Sequence, residues 1–311
     1  MHRNLKISLV LAFGAVLAAC SGNGGTALPT TTSNVNPAPM TVPSNTVRDP
    51  ESGAVAHIMF TTQIARMLGH TGGVIPTAGT NMTWHGGPVQ HTPKIYVVYW
   101  GWKGVDPSGE AARMNSFFSG VGGSQWLSSQ TQYTDGSGNV GNQSGMLAGT
   151  WNDNTNVLPR RISQSALAAE AVRAVSHFSG SYSVSSNYVV ATPHGHSQSG
   201  FGTQWCAYHS TTSSSYGTVS WTYMPYMPDA GASCGAGSVN SPGTLDGVTI
   251  VGGHEQAETA SDPQLNAWYD ASGNEVGDKC AWTDLEANPN AGGYPTQPLW
   301  SNAANGCVQS S

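Results

Sequence analysis

The side chains best suited to chemistry lie in the segment VGGHEQAETASDP, residues 251–263. His254 and Glu255 begin it as the zinc-peptidase pattern H-E-x-x-H begins, but Glu258 replaces the second histidine. Residues four positions apart lie on one face of a helix, so His254, Glu258 and Asp262 are predicted to present an imidazole and two carboxylates together. Glu255 beside them is predicted to be the general base, acting on a water molecule at a metal.

A glutamate at position 258 is compatible with metal binding. Zinc accepts carboxylate oxygen as well as imidazole nitrogen. A second carboxylate adds negative charge, which makes harder cations such as Ca²⁺ or Mn²⁺ more competitive. The sequence therefore predicts a divalent metal cofactor, zinc, with calcium as the alternative. The competing interpretation is a solvated acidic helix face that binds no ligand.

Two later carboxylates are candidates for closing such a metal shell. The segment GNEVGDKCAW (273–282) contains Glu275, which lies 17 positions after Glu258, and also Asp278. This interval is close to the one at which glutamate-zincins draw their third ligand from a later element. The alternative is that Glu275 and Asp278 are charged residues of a surface turn.

Three histidines form a second polar group. His194, His196 and His209 lie in TPHGHSQSGFGTQWCAYHS (192–210), after a predicted strand. Loops at strand ends commonly carry site residues, so these histidines are predicted to contact a metal or a substrate. The alternative is that they are unbound surface residues. A Ser-His-Asp hydrolase is disfavoured because the serines of this segment lack a G-x-S-x-G elbow.

Apolar patterns and capping signals predict the elements that position these groups. The predicted strands are 94–102 (KIYVVYWGW), 187–192 (NYVVAT) and 218–228, the last as a sheet edge because of its prolines. The predicted helices are 52–70, 108–119 with Ser108 as N-cap, 163–178 with Ser163 as N-cap, and one within 243–262 that carries H-E-x-x-E. This order predicts a loop-rich α/β or α+β fold, with a zincin-like mixed sheet beside the H-E-x-x-E helix.

The N-terminus indicates export. A basic start and a short apolar run are typical of a signal peptide, here residues 1–19. The letters LAAC, ending at Cys20, resemble the lipobox of bacterial lipoproteins. They predict lipidation of Cys20 and attachment to a membrane of the bacterial cell envelope, the outer membrane. An ordinary signal peptide and a secreted product are the alternative.

The remaining chain divides into three predicted segments. Residues 20–52 are rich in Ser, Thr, Asn, Pro and Gly, which predicts a disordered tether. Residues 53–81 are predicted to be a docking helix or a pro-segment. Residues 82–311 are predicted to be a single globular domain, long enough to bury a sizeable core.

Cysteine use agrees with an oxidising compartment. Apart from Cys20, the chain has four cysteines, an even number that predicts two disulfides. We favour the sequence-local pairs Cys206–Cys234 and Cys280–Cys307. A structural zinc site of four cysteines is the alternative, although the sequence has no C-x-x-C pair.

The charge content limits the partners. Only 9% of the residues are charged and the net charge is −6, so the sequence lacks the basic surface that nucleic-acid binding requires. Beyond the N-terminus, no apolar run reaches the roughly 18 residues that span a membrane. The expected partners are a membrane through the lipid on Cys20 and a peptide or cell-wall substrate. The sequence predicts no particular oligomeric state.

Several ordered motifs resemble the EXORDIUM-like, or phosphate-induced protein 1-like, family. The segments that carry this resemblance are WHGGPVQHTPKIYVVYWGW (84–102), WCAYHS (205–210), GTLDGVTIVGGHEQAETASDP (243–263) and NAWYD with NEVGDKCAW (266–282). Plant members of that family are extracellular proteins linked to growth and cell expansion. The resemblance implies an extracellular location and no particular enzymatic activity.

The residues favour a lipid-anchored, metal-dependent hydrolase, most simply a zincin-like peptidase. In this hypothesis His254 and Glu258 bind the metal, and the shell is completed by one of Asp262, Glu275, Asp278 or His209. The alternatives are a non-catalytic module that binds cell-wall material or glycans, and a protein with a structural calcium site. The ten tryptophans and eleven tyrosines offer stacking surfaces for sugars under the first alternative.

Overall fold

A seven-stranded mixed β-sheet organises the protein. The computed structural model describes residues 45–49, 53–69 and 80–310, which belong to one compact unit. The predicted signal peptide (1–19), the lipidated Cys20 and most of the predicted tether lie outside these residues. Within them, an α/β fold with a large mixed sheet is present, as the sequence predicts.

Thirteen strands and five α-helices are present among the described residues. The strands are β1 (Thr46–Arg48), β2 (Val55–Phe60), β3 (Thr83–Trp84), β4 (Lys94–Trp100), β5 (Leu147–Asp153), β6 (Ser186–Ala191), β7 (Trp205–Ser214), β8 (Gly217–Met224), β9 (Trp268–Tyr269), β10 (Glu286–Asn288), β11 (Tyr294–Thr296), β12 (Leu299–Ser301) and β13 (Gly306–Val308). The helices are α1 (Thr62–Met67), α2 (Glu110–Gly120), α3 (Gln125–Ser128), α4 (Gln164–His177) and α5 (Asp246–Ser261). Short 3₁₀ segments are Ser129–Gln132, Met227–Cys234, Asp278–Cys280 and Pro289–Ala291.

The main sheet has the strand order β1-β2-β7-β8-β6-β4-β5. Strands β8, β6, β4 and β5 run parallel to one another, whereas the pairs β1–β2, β2–β7 and β7–β8 are antiparallel. Parallel strands are covered on both faces, so their sequences are continuous apolar runs such as KIYVVYW. Successive residues point to opposite faces: Val97 packs with α2 and α5, and Val98 packs with α4.

Helix α5 is the central helix of the fold. All of its residues from Asp246 to Ser261 are buried, including every polar one. Gly252 and Gly253 permit close packing at its middle, where a β-carbon at position 253 would lie 2.9 Å from Trp126 and 3.1 Å from Phe117. This close packing fixes the helix segment that precedes His254.

The helix predicted over 52–70 is wrong for its first half. Residues Val55–Phe60 form β2, which pairs with β7 inside the main sheet, and only Thr62–Met67 are helical. The apolar spacing fitted a helix, but VAHIMF is a short run that a strand buries equally well. The sheet thus includes residues before the predicted domain start at 82. A pro-segment role for 53–81 stays a prediction.

Two smaller predictions also need correction. The segment 218–228 was predicted as a sheet edge, yet β8 lies between β7 and β6, because its prolines follow the strand and remove no ladder hydrogen bond. Helix α2 begins after Gly109 instead of Ser108, and Asp106 caps it by accepting hydrogen bonds from the backbone nitrogens of Gly109, Glu110 and Ala111. The Ser163 cap of α4 is confirmed.

Both predicted disulfides are present. Cys206–Cys234 links β7 to the 3₁₀ segment that follows β8, and Cys280–Cys307 links the 278–280 turn to β13. The alternative of a four-cysteine zinc site is thereby wrong. In the described part of the chain, no helix is both long and apolar enough to cross a membrane.

The two adjacent glycines of α5 give a matched test of this packing. Gly253→Ala is expected to lower the free energy of unfolding by about 1–3 kcal/mol, because the new methyl group overpacks against Trp126. Gly252→Ala is the control: its β-carbon meets Phe118 at an ordinary 3.4 Å, and the gain in helix propensity makes it neutral or stabilising by up to about 1 kcal/mol. Urea unfolding of both variants measures this, and equal effects would contradict the packing argument.

Candidate metal centre

One face of α5 presents the predicted column of side chains. His254, Glu258 and Asp262 are each buried completely. His254 Nε2 lies 3.1 Å from Glu258 Oε1, a separation close to the edge of about 3.3 Å that tetrahedral zinc gives two ligands. Asp262 caps the C-terminus of the helix, and its Oδ1 accepts hydrogen bonds from the backbone nitrogens of Asn266 and Ala267.

The turn around residue 278 brings two more carboxylates to this column. Asp278 Oδ1 lies 3.8 Å from His254 Nε2. The backbone nitrogen of Asp278 donates a hydrogen bond to Glu258 Oε1 at 3.0 Å, and that of Glu275 donates to Asp278 Oδ2 at 2.9 Å. The interpretation of Glu275 and Asp278 as exposed turn residues is wrong, because both side chains are buried.

Strand β7 supplies His209 from the other side. Its Nδ1 lies 3.3 Å from Glu255 Oε2 and 3.6 Å from Glu258 Oε2. Its Nε2 lies 3.5 Å from Glu275 Oε2. Of the three histidines singled out in the sequence, His209 is therefore the one placed among the α5 carboxylates.

Strand β2 supplies His57, which the sequence analysis missed. Its Nε2 lies 2.6 Å from Asp278 Oδ2, and its Nδ1 lies 3.3 Å from Glu275 Oε1. A signal for it exists: a histidine in the middle of the apolar run VAHIMF must be buried if that run is a strand. Treating the run as a helix concealed this, because β2 joins the sheet through a partner about 150 residues away in sequence.

These side chains form what we call the buried cluster. It consists of His57, His209, His254, Glu255, Glu258, Asp262, Glu275 and Asp278. Two sets of three within it can each hold a cation, since one ligand atom from every member lies within 4.8 Å of the others. The sets are His57 with Glu258 and Asp278, and His209 with Glu258 and Glu275.

Unsatisfied polar atoms concentrate in the buried cluster. Buried polar atoms in proteins nearly always have hydrogen-bond partners, and each exception needs an explanation. Six cluster atoms have none among the described residues: His209 Nε2, His254 Nε2, Glu255 Oε1, Glu258 Oε2, Asp262 Oδ2 and Glu275 Oε2. Imidazole nitrogens and carboxylate oxygens are the donors that divalent metals use, so this set fits a metal ion.

The other nitrogens of two of these imidazoles have polar neighbours. His254 Nδ1 lies 3.4 Å from the amide oxygen of Gln297, whose nitrogen donates to the Gly277 carbonyl. His209 Nδ1 faces Glu255. Metal-binding histidines characteristically donate their second ring N–H to such an oxygen, which fixes the tautomer. Gly277 packs so closely that a β-carbon there would lie 2.6 Å from His254 Nδ1, so the ring is held firmly.

Burial and mutual charge shift the pKa values of the cluster. Burial alone lowers the pKa of His57, but the Glu275 and Asp278 carboxylates outweigh it and raise that pKa to about 10. The same balance, with Glu258 as the main partner, raises the pKa of His254 to about 9. Burial raises the pKa of Glu255 and of Glu275. Burial also acts upward on Asp278, yet His57 lowers its pKa to about 2.

A narrow cavity connects the cluster with the surface. It has a volume of about 110 Å³ and is lined on one side by His57, Asp262 and Glu275. On the other side lie the exposed Thr46 of β1 and the half-buried Tyr269 of β9. The space is sufficient for a few water molecules, so small ions can reach the cluster through it.

His194 and His196 are placed elsewhere. Both are exposed in the loop after β6, where His194 Nδ1 lies 2.5 Å from Asp229 Oδ1. They border a cavity of about 350 Å³ at the carboxyl ends of the parallel strands, together with Trp102 and Val157. Among the described residues, neither histidine belongs to the ion pairs of the buried cluster.

The fold and the site define a class of protein: a disulfide-bonded α/β domain with a helix-borne cluster of histidines and carboxylates. Its sequence is similar to that of Protein EXORDIUM-like 5 from Arabidopsis thaliana, with 28% identity over 259 residues, covering 70% of this chain and 68% of that protein. The resemblance to the EXORDIUM-like family is thereby confirmed. Together with the disulfides, it indicates an extracellular or secreted protein.

Two further comparisons gave no match. No protein-family model matches the chain, and no solved structure matches it. Evidence about the cluster therefore comes from its own geometry.

The pKa of His57 predicts how the stability of the metal-free protein, kept so by a chelator, depends on pH. Because folding raises that pKa from its usual value near 6.5 to about 10, the interaction stabilises the folded state fully below pH 6.5. The stabilisation is expected to fall as the pH rises towards 10. Urea unfolding between pH 6 and 10 measures it, with His57→Gln as the comparison. Identical pH profiles for the two proteins would contradict the assigned His57 contacts.

Proposed function

We propose that this protein is a metal-dependent hydrolase of extracellular substrates that uses the same kind of chemistry as zincin peptidases. The observation that supports the proposal is the set of buried imidazole nitrogens and carboxylate oxygens around α5 that have no hydrogen bond among the described residues. Leaving such atoms unpaired in a protein interior costs about 1–3 kcal/mol each, and more if they are charged. A divalent cation, zinc in the first instance, would satisfy several of them at once.

The proposed ligands of the ion are His254, Glu258 and Asp278. His254 Nε2 lies within 4 Å of a carboxylate oxygen of each of the other two residues. Such an ion supplies Lewis acidity, polarising a substrate carbonyl and making a water molecule more acidic. Gln297 and the close packing of Gly277 hold the His254 ring in place.

Glu255 has the properties of a general base in this proposal. Its Oε2 faces His209 Nδ1 at 3.3 Å, which orients the carboxylate, whereas Oε1 has no partner in the described part of the chain. Burial raises the pKa of Glu255, bringing the carboxylate closer to the pH at which it can take a proton and later return it. Its role is to accept a proton from water and to donate one to the leaving group.

A structural cation is the second candidate function. The observation that favours it is burial: among the three proposed ligands, Asp278 is the most exposed, at 6%. Structural metal sites are closed, whereas catalytic sites keep a position open to substrate. The cavity of about 110 Å³ admits small groups, so a polymeric substrate would require β1 and the residues near Tyr269 to separate.

Replacement of the proposed base tests the hydrolase. Glu255→Gln is expected to reduce hydrolysis of a denatured, fluorescently labelled protein about 10²–10⁴-fold, because the amide cannot accept the proton. Metal content, measured by mass spectrometry, is expected to stay near that of the wild type. Glu286→Gln, at an exposed position in β10, is the matched control and should retain activity.

The outcomes separate the two candidate functions. Wild-type activity in the Glu255→Gln variant would contradict the assignment of the base. A metal-loaded wild-type protein that hydrolyses nothing, but whose melting temperature falls when a chelator is added, would be a structural cation protein. Chelation that abolishes hydrolysis supports the hydrolase.

We also propose that the mature protein is lipid-anchored in the bacterial cell envelope, at the outer membrane. Support comes from the LAAC sequence ending at Cys20 and from the Ser/Asn-rich stretch that follows. A tether of this composition would let the folded domain move away from the membrane surface. The disulfides are compatible with this compartment.

Substitution of the proposed acceptor cysteine tests the anchor. In cells fed a radiolabelled or clickable fatty acid, the wild type is expected to incorporate label and to sediment with membranes. Cys20→Ser is expected to lose both properties, because the thiol that carries the lipid is absent. Ser21→Ala, next to the cleavage site, is the control. An unlabelled wild type would contradict the proposal.

A further inference from the structure

We infer that the buried cluster holds two divalent cations that share Glu258 as a bridging ligand. The inference rests on the proposal that the cluster binds a divalent cation, and it is independent of whether hydrolysis follows. Four lines of observation carry it: the two oxygens of Glu258, the two ligand sets that these oxygens define, the paired histidines and the uncompensated charge.

The two carboxylate oxygens of Glu258 face different partners. Oε1 lies 3.1 Å from His254 Nε2 and accepts a hydrogen bond from the backbone nitrogen of Asp278. Oε2 lies 3.6 Å from His209 Nδ1 and has no hydrogen bond among the described residues. A carboxylate whose two oxygens contact different groups is suited to bridge two metal ions. In two-metal sites the ions lie about 3.5–4 Å apart.

Each oxygen belongs to its own ligand set. Oε1 lies beside His254 and the Asp278 backbone, and His57 forms one set of possible ligands with Glu258 and Asp278. On the Oε2 side the donors are His209 and Glu275. In the second set His209 Nε2, Glu258 Oε2 and Glu275 Oε2 are all buried and have no hydrogen bond in the described chain, which is the condition expected of vacant ligand atoms.

Two histidines of the cluster have the same surroundings. Nε2 of each has no hydrogen bond in the described chain, while Nδ1 faces a side-chain oxygen: Gln297 for His254, and Glu255 for His209. An oxygen opposite the metal-binding nitrogen is the usual outer support of a histidine ligand. A single ion beside His254 would leave His209 Nε2, a buried ring nitrogen, without a hydrogen bond in the described chain.

The charge of the cluster also favours two ions. Five carboxylates lie within it, and among the described residues no Lys or Arg forms an ion pair with any of them. The five are Glu255, Glu258, Asp262, Glu275 and Asp278. Metal ligation requires neutral imidazoles, so His209 and His254 cannot then supply balancing charge. Two divalent cations compensate four of the five negative charges, whereas one compensates only two.

His57 has a distinct position in this arrangement. It lies between Asp278, a ligand of the first set, and Glu275, a ligand of the second, at 2.6 Å and 3.3 Å. It therefore holds the carboxylates of both sets in a fixed relative position. This explains why a strand from the N-terminal part of the chain contributes a histidine to a cluster otherwise built from residues 209–278.

Metal stoichiometry tests the inference directly. Wild-type protein stripped with a chelator and reloaded with Mn²⁺ by equilibrium dialysis is expected to bind two ions per chain. Its electron paramagnetic resonance spectrum is expected to show spin coupling between neighbouring ions. His209→Gln and His254→Gln are each expected to bind one ion with an uncoupled six-line spectrum, because each variant loses one ligand set. His194→Gln, at an exposed position outside the cluster, should still bind two.

The results distinguish this inference from the proposed function. Two coupled ions without hydrolysis would uphold the two-ion cluster and refute the hydrolase. Hydrolysis by a wild-type protein that binds one ion would refute the two-ion cluster alone. Loss of the same single ion in both histidine variants would also overturn it. If a variant does not fold, as judged by circular dichroism, the count and spin coupling in the wild type still decide.

Discussion

The burial of five carboxylates beside three imidazoles is the constraint on which the rest of the structure depends. Removing an ion from water costs several kcal/mol even after the protein relaxes, and like charges at close range add to that cost. The described chain compensates only part of it, through backbone donors such as the nitrogen of Asp278 and through imidazole–carboxylate contacts. Cations in the cluster would supply the remainder, which is why metal binding and folding should be coupled.

The architecture around the cluster is arranged to keep these groups in place. Helix α5 is buried on all sides, so His254 and Glu258 have little freedom to turn towards solvent. The Cys280–Cys307 disulfide fixes the turn that carries Asp278, and Cys206–Cys234 fixes the strand that carries His209. These covalent links would preserve the geometry of the buried cluster.

Several strands, helix α4 and the shared face of α5 could be predicted from the sequence, because they depend on interactions between residues close together in the chain. The runs KIYVVYW and NYVVA predict buried strands, Ser163 predicts the start of α4, and the i, i+4 spacing predicts that His254 and Glu258 share a face. The disulfide pairs also followed from short separations along the chain. The prediction of a helix over VAHIMF was wrong, because a short apolar run fits either a strand or a helix.

The sequence by itself determined the chemistry of the α5 face, since helical periodicity acts over four residues. Only the tertiary structure decided which groups meet that face. Antiparallel pairing of β2 with β7 places His57 and His209 beside each other. Strand pairing between distant segments leaves no fixed spacing in the sequence. Burial is decided in the same way: Glu275 and Asp278 have the composition of a surface turn, and packing against β2 and α5 places them inside.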